Sequence, residues 1–196
     1  MNKEEIRKAV QKARESANGR NFTQTLDLVV NLQNLDLRKP DHKLDLGVTL
    51  ESQIKPKKLV ICAVVDHSMN GVEEVFDRVM YQEDLNALKG DVEGIRRLAK
   101  SYDRFVVQSN LMPTFAQILG RYLGPLNKMP SPKLGMVITE RTNVSDLYER
   151  LQKTVHIQTK KNQVLQLPVG SEAEDEETLI NHIQAVHEAL LPHLPT

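Results

Sequence analysis

The sequence predicts an α/β protein organised as two domains, one inserted into the other. Three observations carry that. Residues 59–65, Leu-Val-Ile-Cys-Ala-Val-Val, form a continuous apolar run, as expected of a parallel strand covered on both faces. Strand-like and helix-like segments then alternate to residue 153, the pattern of a parallel sheet with right-handed crossover helices. The flanking pieces differ: each carries short strands and one helix, with too few strands for a core of its own.

Taken in order, residues 3–17 place Ile6, Val10 and Ala13 on one helical face, and Gly19 suits the stop. Residues 22–32 alternate with period two, Leu26, Leu28 and Val30 on one side and Thr25, Asp27 and Val29 on the other. That pattern predicts a half-buried strand. Residues 43–50 alternate similarly, after a polar connection over 35–42 that contains Pro40, and Lys55-Pro56-Lys57-Lys58 reads as a linker. After the strand at 59–65, helices are expected at 71–80 and 91–101, a strand at 103–108 and a helix at 113–123. A strand at 134–138 and a helix at 144–153 follow. This middle unit is Rossmann-like. Residues 155–159 and 164–168 then form two short strands joined by Lys160-Lys161-Asn162, a connection that suits a hairpin. Residues 176–191 form an amphipathic helix with Leu179, Ile183, Val186 and Leu190 as its stripe. The expectation is that residues 1–58 and 154–196 together build a split two-layer α/β sandwich, with residues 59–153 inserted as a three-layer domain.

Composition narrows the function classes. The chain has 196 residues, zero formal net charge and one cysteine. The first segment is mildly basic; the last is acidic through Glu172, Glu174, Asp175, Glu176 and Glu177. Where RNA is concerned, the local face decides and the average charge does not. Cys62 lies within the apolar run and reads as core packing. No internal disulfide framework is possible, which fits a reducing compartment. The start is a charged helix with no signal-peptide pattern, and no apolar run approaches the roughly 20 residues that span a bilayer. A soluble, cytoplasmic protein is expected, with no membrane partner.

Enzyme and cofactor signals are weak. The first strand of the middle unit leads into Asp66-His67-Ser68-Met69-Asn70-Gly71, without the G-x-G-x-x-G turn or Walker lysine of nucleotide sites. Asp66-His67 sits where α/β sites usually lie and could in principle do acid–base work, but no nucleophile elbow or second catalytic carboxylate stands near it. His182, His187 and His193 lack metal-ligand spacing and read as solvent-facing. No catalysis, cofactor or metal is expected.

Cationic and aromatic features point elsewhere. Residues 119–133, Leu-Gly-Arg-Tyr-Leu-Gly-Pro-Leu-Asn-Lys-Met-Pro-Ser-Pro-Lys, begin as a helix that Gly124-Pro125 ends, and Pro130 and Pro132 are expected to hold the rest extended. Arg121, Lys128 and Lys133 supply cations there, with no group able to serve as nucleophile or general base. Phe22 stands beside the hydroxyls and amide of Thr23, Gln24 and Thr25, and Lys160, Lys161 and Asn162 form a cationic turn.

The 119–133 stretch resembles the signature of the L-one family of large-subunit ribosomal proteins, the proteins of the mobile ribosomal stalk, in its archaeal form. Residues 20–28, Arg-Asn-Phe-Thr-Gln-Thr-Leu-Asp-Leu, are similar to that family's first strand. Residues 166–170, Gln-Leu-Pro-Val-Gly, are similar to its hairpin strand ending in Pro-x-Gly. The blocks share the family's order and spacing, so the resemblance covers essentially the whole chain. It implies a split domain that grips a folded RNA element by shape, backbone and 2′-hydroxyls. Phe22, Thr23, Thr25, Lys160, Lys161 and Asn162 would lie at or beside the contacts, and Arg121, Lys128 and Lys133 would supply a second basic surface. It implies the stalk region of large-subunit rRNA, exit-site tRNA and the protein's own mRNA as partners, and a monomer outside the ribosome. The chain departs from the family at Lys160, where many members carry Asp. It departs again at 51–57, where many carry a basic, glycine-containing stretch. The family's usual final Thr-Met-Gly strand does not occur after the last helix. Two rival readings remain: a ribosome-assembly factor of the same fold, and a small Rossmann-like enzyme acting at Asp66-His67.

Overall fold

The computed structural model describes residues 2–33, 39, 43–55, 57–159 and 163–194. Its elements in chain order are α1 (Lys3–Ser16), β1 (Thr25–Asn31), β2 (Asp45–Thr49), β3 (Ile61–Val64), β4 (Arg78–Met80), α2 (Gln82–Ala87), α3 (Val92–Ser101), β5 (Arg104–Gln108), α4 (Met112–Leu123), β6 (Val137–Ile138), α5 (Val144–Lys153), β7 (Thr154–Gln158), β8 (Val164–Ser171) and α6 (Glu176–Leu190). They fall into two compact units: Met1–Lys58 with Gln152–Thr196, and Leu59–Leu151.

In the split unit β1 runs antiparallel to β8, and β2 antiparallel to β7. Helix α1 starts where the Asn2 side chain accepts the Glu4 N–H at 3.1 Å, supplying one of the bonds a helix start lacks. It buries Ile6 and Val10. Helix α6 starts on Asp175, whose carboxylate accepts the Thr178 N–H at 2.8 Å, and buries Leu179, Ile183, Val186 and Leu190. The two helices pack together, joined by Arg7 Nε to Glu176 Oε1 at 2.9 Å and by Gln11 Nε2 donating to Glu176 Oε2 at 3.0 Å. On β8, Leu165, Leu167 and Val169 are buried, whereas Leu26, Leu28 and Val30 of β1 are only partly covered. The register passes from Leu26↔Gly170 to Asp27↔Pro168, so Val169 is an extra residue and the pair bulges there. Pro168, which has no N–H to donate, sits at that irregularity. Gly170 takes φ 154°, which side chains rarely adopt, and a side chain there would crowd Leu179 and Glu174.

In the inserted unit four parallel strands lie in the order β4-β3-β5-β6. Cys62 and Val64 of β3, with Phe105 and Val107 of β5, pack in one core cluster with Leu85 of α2, Ile95 and Leu98 of α3, and Phe115, Leu119 and Leu123 of α4. Ile61, Ala63 and Val106 alternate to the opposite face and are equally sealed, so the sheet is covered on both sides. Burial pushes the Cys62 thiol up to about 12, so it stays a neutral core group.

Four expectations change. No helix spans 71–80: Val72–Phe76 makes a single turn, and 78–80 is strand β4, paired in parallel with β3. Val72, Phe76, Val79 and Met80 have helical spacing, but pairing with a strand distant in sequence overrides it. Helix α2 follows, where none was expected. Residues 124–128 wind through successive turns after α4, and 132–134 form a 3-10 turn where Pro130 and Pro132 were expected to hold the chain extended. The Lys128 N–H donates to Leu123 O at 3.1 Å, and Asn127 takes φ 59°, which asparagine tolerates. Phe22 precedes β1 and is not part of it. His182 is sealed from solvent, donating from Nδ1 to Val169 O at 2.7 Å and accepting the Ser52 N–H at Nε2 at 3.3 Å; His187 is partly covered and His193 exposed.

Candidate nucleic-acid interface

Between α1 and β1, residues 18–24 form a loop that carries an aromatic ring into solvent. Phe22 is 62 % exposed, far more than a core phenylalanine tolerates, and the Arg20 guanidinium lies 5.9 Å from its ring centroid. That distance allows a cation–π contact. Thr23 and Thr25 are also exposed, so the structure brings Phe22, Thr23 and Thr25 onto one short stretch with Arg20 beside them. On the outer side of β1, Asp27 and Val29 continue the exposed row. Beside this stretch lies a groove of about 490 Å³, walled by Ala13 and Arg14 of α1, by Ala17 just after it, by Gln24–Asp27, and by Glu172.

The loop is fixed through Gln24. Its backbone N–H donates to Glu172 Oε1 at 2.7 Å and its side-chain amide to Glu172 Oε2 at 3.2 Å. The Glu172 N–H donates back to Gln24 O at 2.9 Å, and the Gln24 amide also donates to Asn18 O at 3.2 Å. Glu174, Asp175 and Glu176 are likewise engaged. Glu174 Oε1 accepts the Ser52 hydroxyl at 2.9 Å, while Arg14 donates to the Glu174 carbonyl. Asp175 caps α6, and the Thr178 backbone N–H, with its hydroxyl, holds the Asp175 carboxyl below the usual carboxylate range. Glu176 pairs with Arg7 and Gln11. Glu172, Glu174, Asp175 and Glu176 are therefore bonded within their own unit.

Lys160, Lys161 and Asn162 lie outside the described residues. Arg121, Lys128 and Lys133 belong to the inserted unit, and the Phe22 loop belongs to the split unit. Arg121 is exposed in the last turn of α4, and Lys133 is exposed in a single 3-10 turn at 132–134. Lys128 is partly buried, and its ammonium donates to Ala99 O and Tyr102 O, each at 2.7 Å. Those carbonyls sit at the C-terminal end of α3, where a cation suits the helix dipole and the unpaired acceptors. Lys128 thus fastens the 124–128 turns to α3. Sequence reasoning missed this role, and missed Glu172 and Arg20 as partners of the Phe22 loop. The proximity of Arg20 to Phe22 was visible in sequence; the Glu172 bond to Gln24, 148 residues away, was not.

The Asp66-His67 pair forms no dyad. The Asp66 carboxylate accepts the Ser68 N–H at 2.9 Å, the Gln108 amide at 2.9 Å and the Asn110 amide at 2.7 Å, together with the Ser68 hydroxyl. Ser68 and then Asn110 lead in holding its carboxyl below the ordinary range. His67 turns away to stack on Tyr81, with ring centroids 4.2 Å apart, and its Nε2 lies 3.5 Å from Glu83. Among the described residues no group of three His, Cys, Asp or Glu is placed to hold a metal ion, and no helix is long and apolar enough to cross a membrane.

With this geometry in hand, comparison with known proteins decides the family. The Ribosomal protein L1p/L10e family matches residues 9–196. The chain belongs to this family. It is 37 % identical over 195 residues to the large ribosomal subunit protein uL1 of Thermococcus kodakarensis, covering 99 % of this chain and 88 % of the relative. It is 36 % identical over 198 residues to the protein of the same name from Pyrococcus horikoshii, covering 99 % and 87 %. To that of Methanothermococcus thermolithotrophicus it is 36 % identical over 187 residues, covering 95 % and 85 %. These relatives are ribosomal proteins of a structural, non-enzymatic family, and this chain is not an enzyme.

Proposed function

We propose that this family member binds the stalk region of large-subunit rRNA through its split unit. Phe22, Thr23 and Thr25, with Lys160, Lys161 and Asn162, form the contact surface. The observation that carries the reading is the exposed Phe22 ring beside Arg20 at the entry to β1. An exposed ring offers a stacking face to a base or ribose, a neighbouring cation suits phosphate, and threonine hydroxyls suit the 2′-hydroxyls that mark RNA. Arg121 and Lys133 on the inserted unit supply a second basic surface for exit-site tRNA or a ribosomal neighbour. Lys128, bonded to the end of α3, serves the stability of the unit that carries this surface. The same RNA surface would let the protein bind an rRNA-like element in its own mRNA and repress its translation. The protein is a cytoplasmic, ribosome-bound component and a monomer when free.

The test is titration of a stalk rRNA fragment at several salt concentrations. Phe22→Ala should weaken binding by roughly five- to a hundredfold, the range of a lost stacking contact, while the melting temperature stays within about a degree or two because the ring is already exposed. Replacing Lys160 and Lys161 by alanine should flatten the log–log salt dependence by about one to two units. Absence of specific binding by the wild-type chain would overturn the proposal.

A further inference from the structure

We infer that Glu172 is a positioning residue for RNA binding, acting through Gln24 to hold the loop that presents Arg20, Phe22 and Thr23. The inference rests on the split unit being the RNA-binding part. Residues 18–23 lie outside any helix or strand. Among the described residues their one hydrogen-bonded tie is Asn18 O, which accepts from the Gln24 side chain. Gln24 is in turn held at three points by one residue. Glu172 takes its backbone N–H at 2.7 Å and its amide at 3.2 Å, and returns a backbone N–H to its carbonyl at 2.9 Å. The backbone bond follows directly on the Thr25↔Ser171 pair that ends the β1–β8 ladder. The carboxylate then fixes the glutamine rotamer that reaches back to Asn18. Without it the amide keeps its bond to Asn18 only by ordering a free side chain, an entropic cost that the clamp otherwise meets.

A carboxylate near an RNA surface would ordinarily repel phosphate. Here both oxygens are bonded to Gln24, so the acid acts through geometry. This gives opposite signs for two accounts of Glu172. If it acted by charge alone, neutralising it should tighten binding. If it positions the loop, removing it should weaken binding although a negative charge has been lost.

The experiment uses the full chain and a stalk rRNA fragment, with Glu172→Ala, Gln24→Ala, their double variant and Glu172→Gln. The order of residues 18–23 is read by backbone NMR relaxation of the free protein. Glu172→Ala should lose roughly five- to tenfold in affinity, the scale of one ordinary net hydrogen bond, and the loop should become more mobile. Gln24→Ala should lose a similar factor, and the double variant no more than either alone, since both break one connection. Glu172→Gln, which keeps an acceptor for the Gln24 N–H, should fall between, and it decides the matter if the alanine variant does not fold. Unchanged or tighter binding with an ordered loop, or losses that add in the double variant, would overturn the inference. If the wild type binds no stalk RNA, the functional reading fails, and loop order in the free variants still decides the positioning role.

Discussion

The inserted unit seals its central strands on both faces, while the split unit leaves its first strand, β1, half open. Ile61, Cys62, Ala63 and Val64 are all fully buried, whereas Leu26, Leu28 and Val30 keep contact with water. The difference follows from sheet construction. A parallel sheet with crossover helices is covered on both sides and is held chiefly by apolar packing. The split unit has its paired strands and two packed helices, and it adds side-chain clamps from one acidic turn, on Gln24, Ser52, Arg7 and the start of α6. Apolar burial fixes the scaffold of one unit; directional hydrogen bonds fix the exposed loop of the other. A binding surface must meet water before it meets its partner, so it cannot be held by burial of the residues that make contact.

The largest expected effect separates these two modes. Leu119 of α4 is fully buried, so Leu119→Ala should cost about 2–5 kcal/mol of stability through lost transfer energy and a residual cavity. Leu28→Ala in β1 makes the same chemical change where water already reaches the side chain, and should cost only about 1–2 kcal/mol. Denaturant unfolding of both variants measures the contrast. Equal losses would show that β1 is covered in solution and would remove the distinction.

How legible this was depended on where each residue's partner lies. The run at 59–65 declared itself because a strand buried on both faces needs apolar residues at every position. Helices α1 and α6 were legible from the spacing of their apolar residues. Strand β4 was not, because Val72, Phe76 and Met80 satisfy a helical period locally and only β3 makes 78–80 a strand. At the candidate site, Phe22, Thr23 and Thr25 could be selected from sequence as exposed polar and aromatic neighbours. Their support could not, since Glu172 is distant in sequence and looked like part of a solvated acidic run. Lys128 was misleading in the opposite direction: a lysine among prolines reads as a free cation until the carbonyls of Ala99 and Tyr102 appear beside it.

Lys128 gives the next test, within the inserted unit alone. Lys128→Met keeps most of the aliphatic stem and removes the ammonium, leaving the Ala99 and Tyr102 carbonyls without that donor. The expected loss is about 1–3 kcal/mol, toward the lower end because water can reach part of the site. RNA or ribosome association should hardly change. Arg121→Glu should do the reverse, lowering association while thermal stability holds, since Arg121 is exposed. If Lys128→Met instead weakened association with stability intact, its ammonium would be a binding group and the division between the two cations would fail.

The smallest expected effect concerns two hydrogen-bonded carboxylates, one in each unit, where the contrast between units should vanish. Asp66 is held below the ordinary carboxylate range chiefly by the Ser68 hydroxyl, and Asp175 chiefly by the Thr178 backbone N–H. A carboxyl depressed in the folded state contributes stability that is fully present above its unfolded value, about 3.9. That contribution is lost as pH falls through the lower folded value. Wild-type melting temperature should therefore decline below about pH 4 partly on their account. Asp175→Asn should change stability little at neutral pH, because asparagine also caps a helix start, and should make the acid decline shallower. Asp66→Asn should show the same shallower decline with some loss at neutral pH, because its new amide faces the Gln108 and Asn110 donors. Carbon-detected NMR titration reads both groups directly in the wild type. A midpoint at or above 3.9 for either carboxyl would mean that its hydrogen bonds are not populated in solution. For Asp175 that would weaken the view that the acidic turn is internally bonded, on which the contrast between the two units depends.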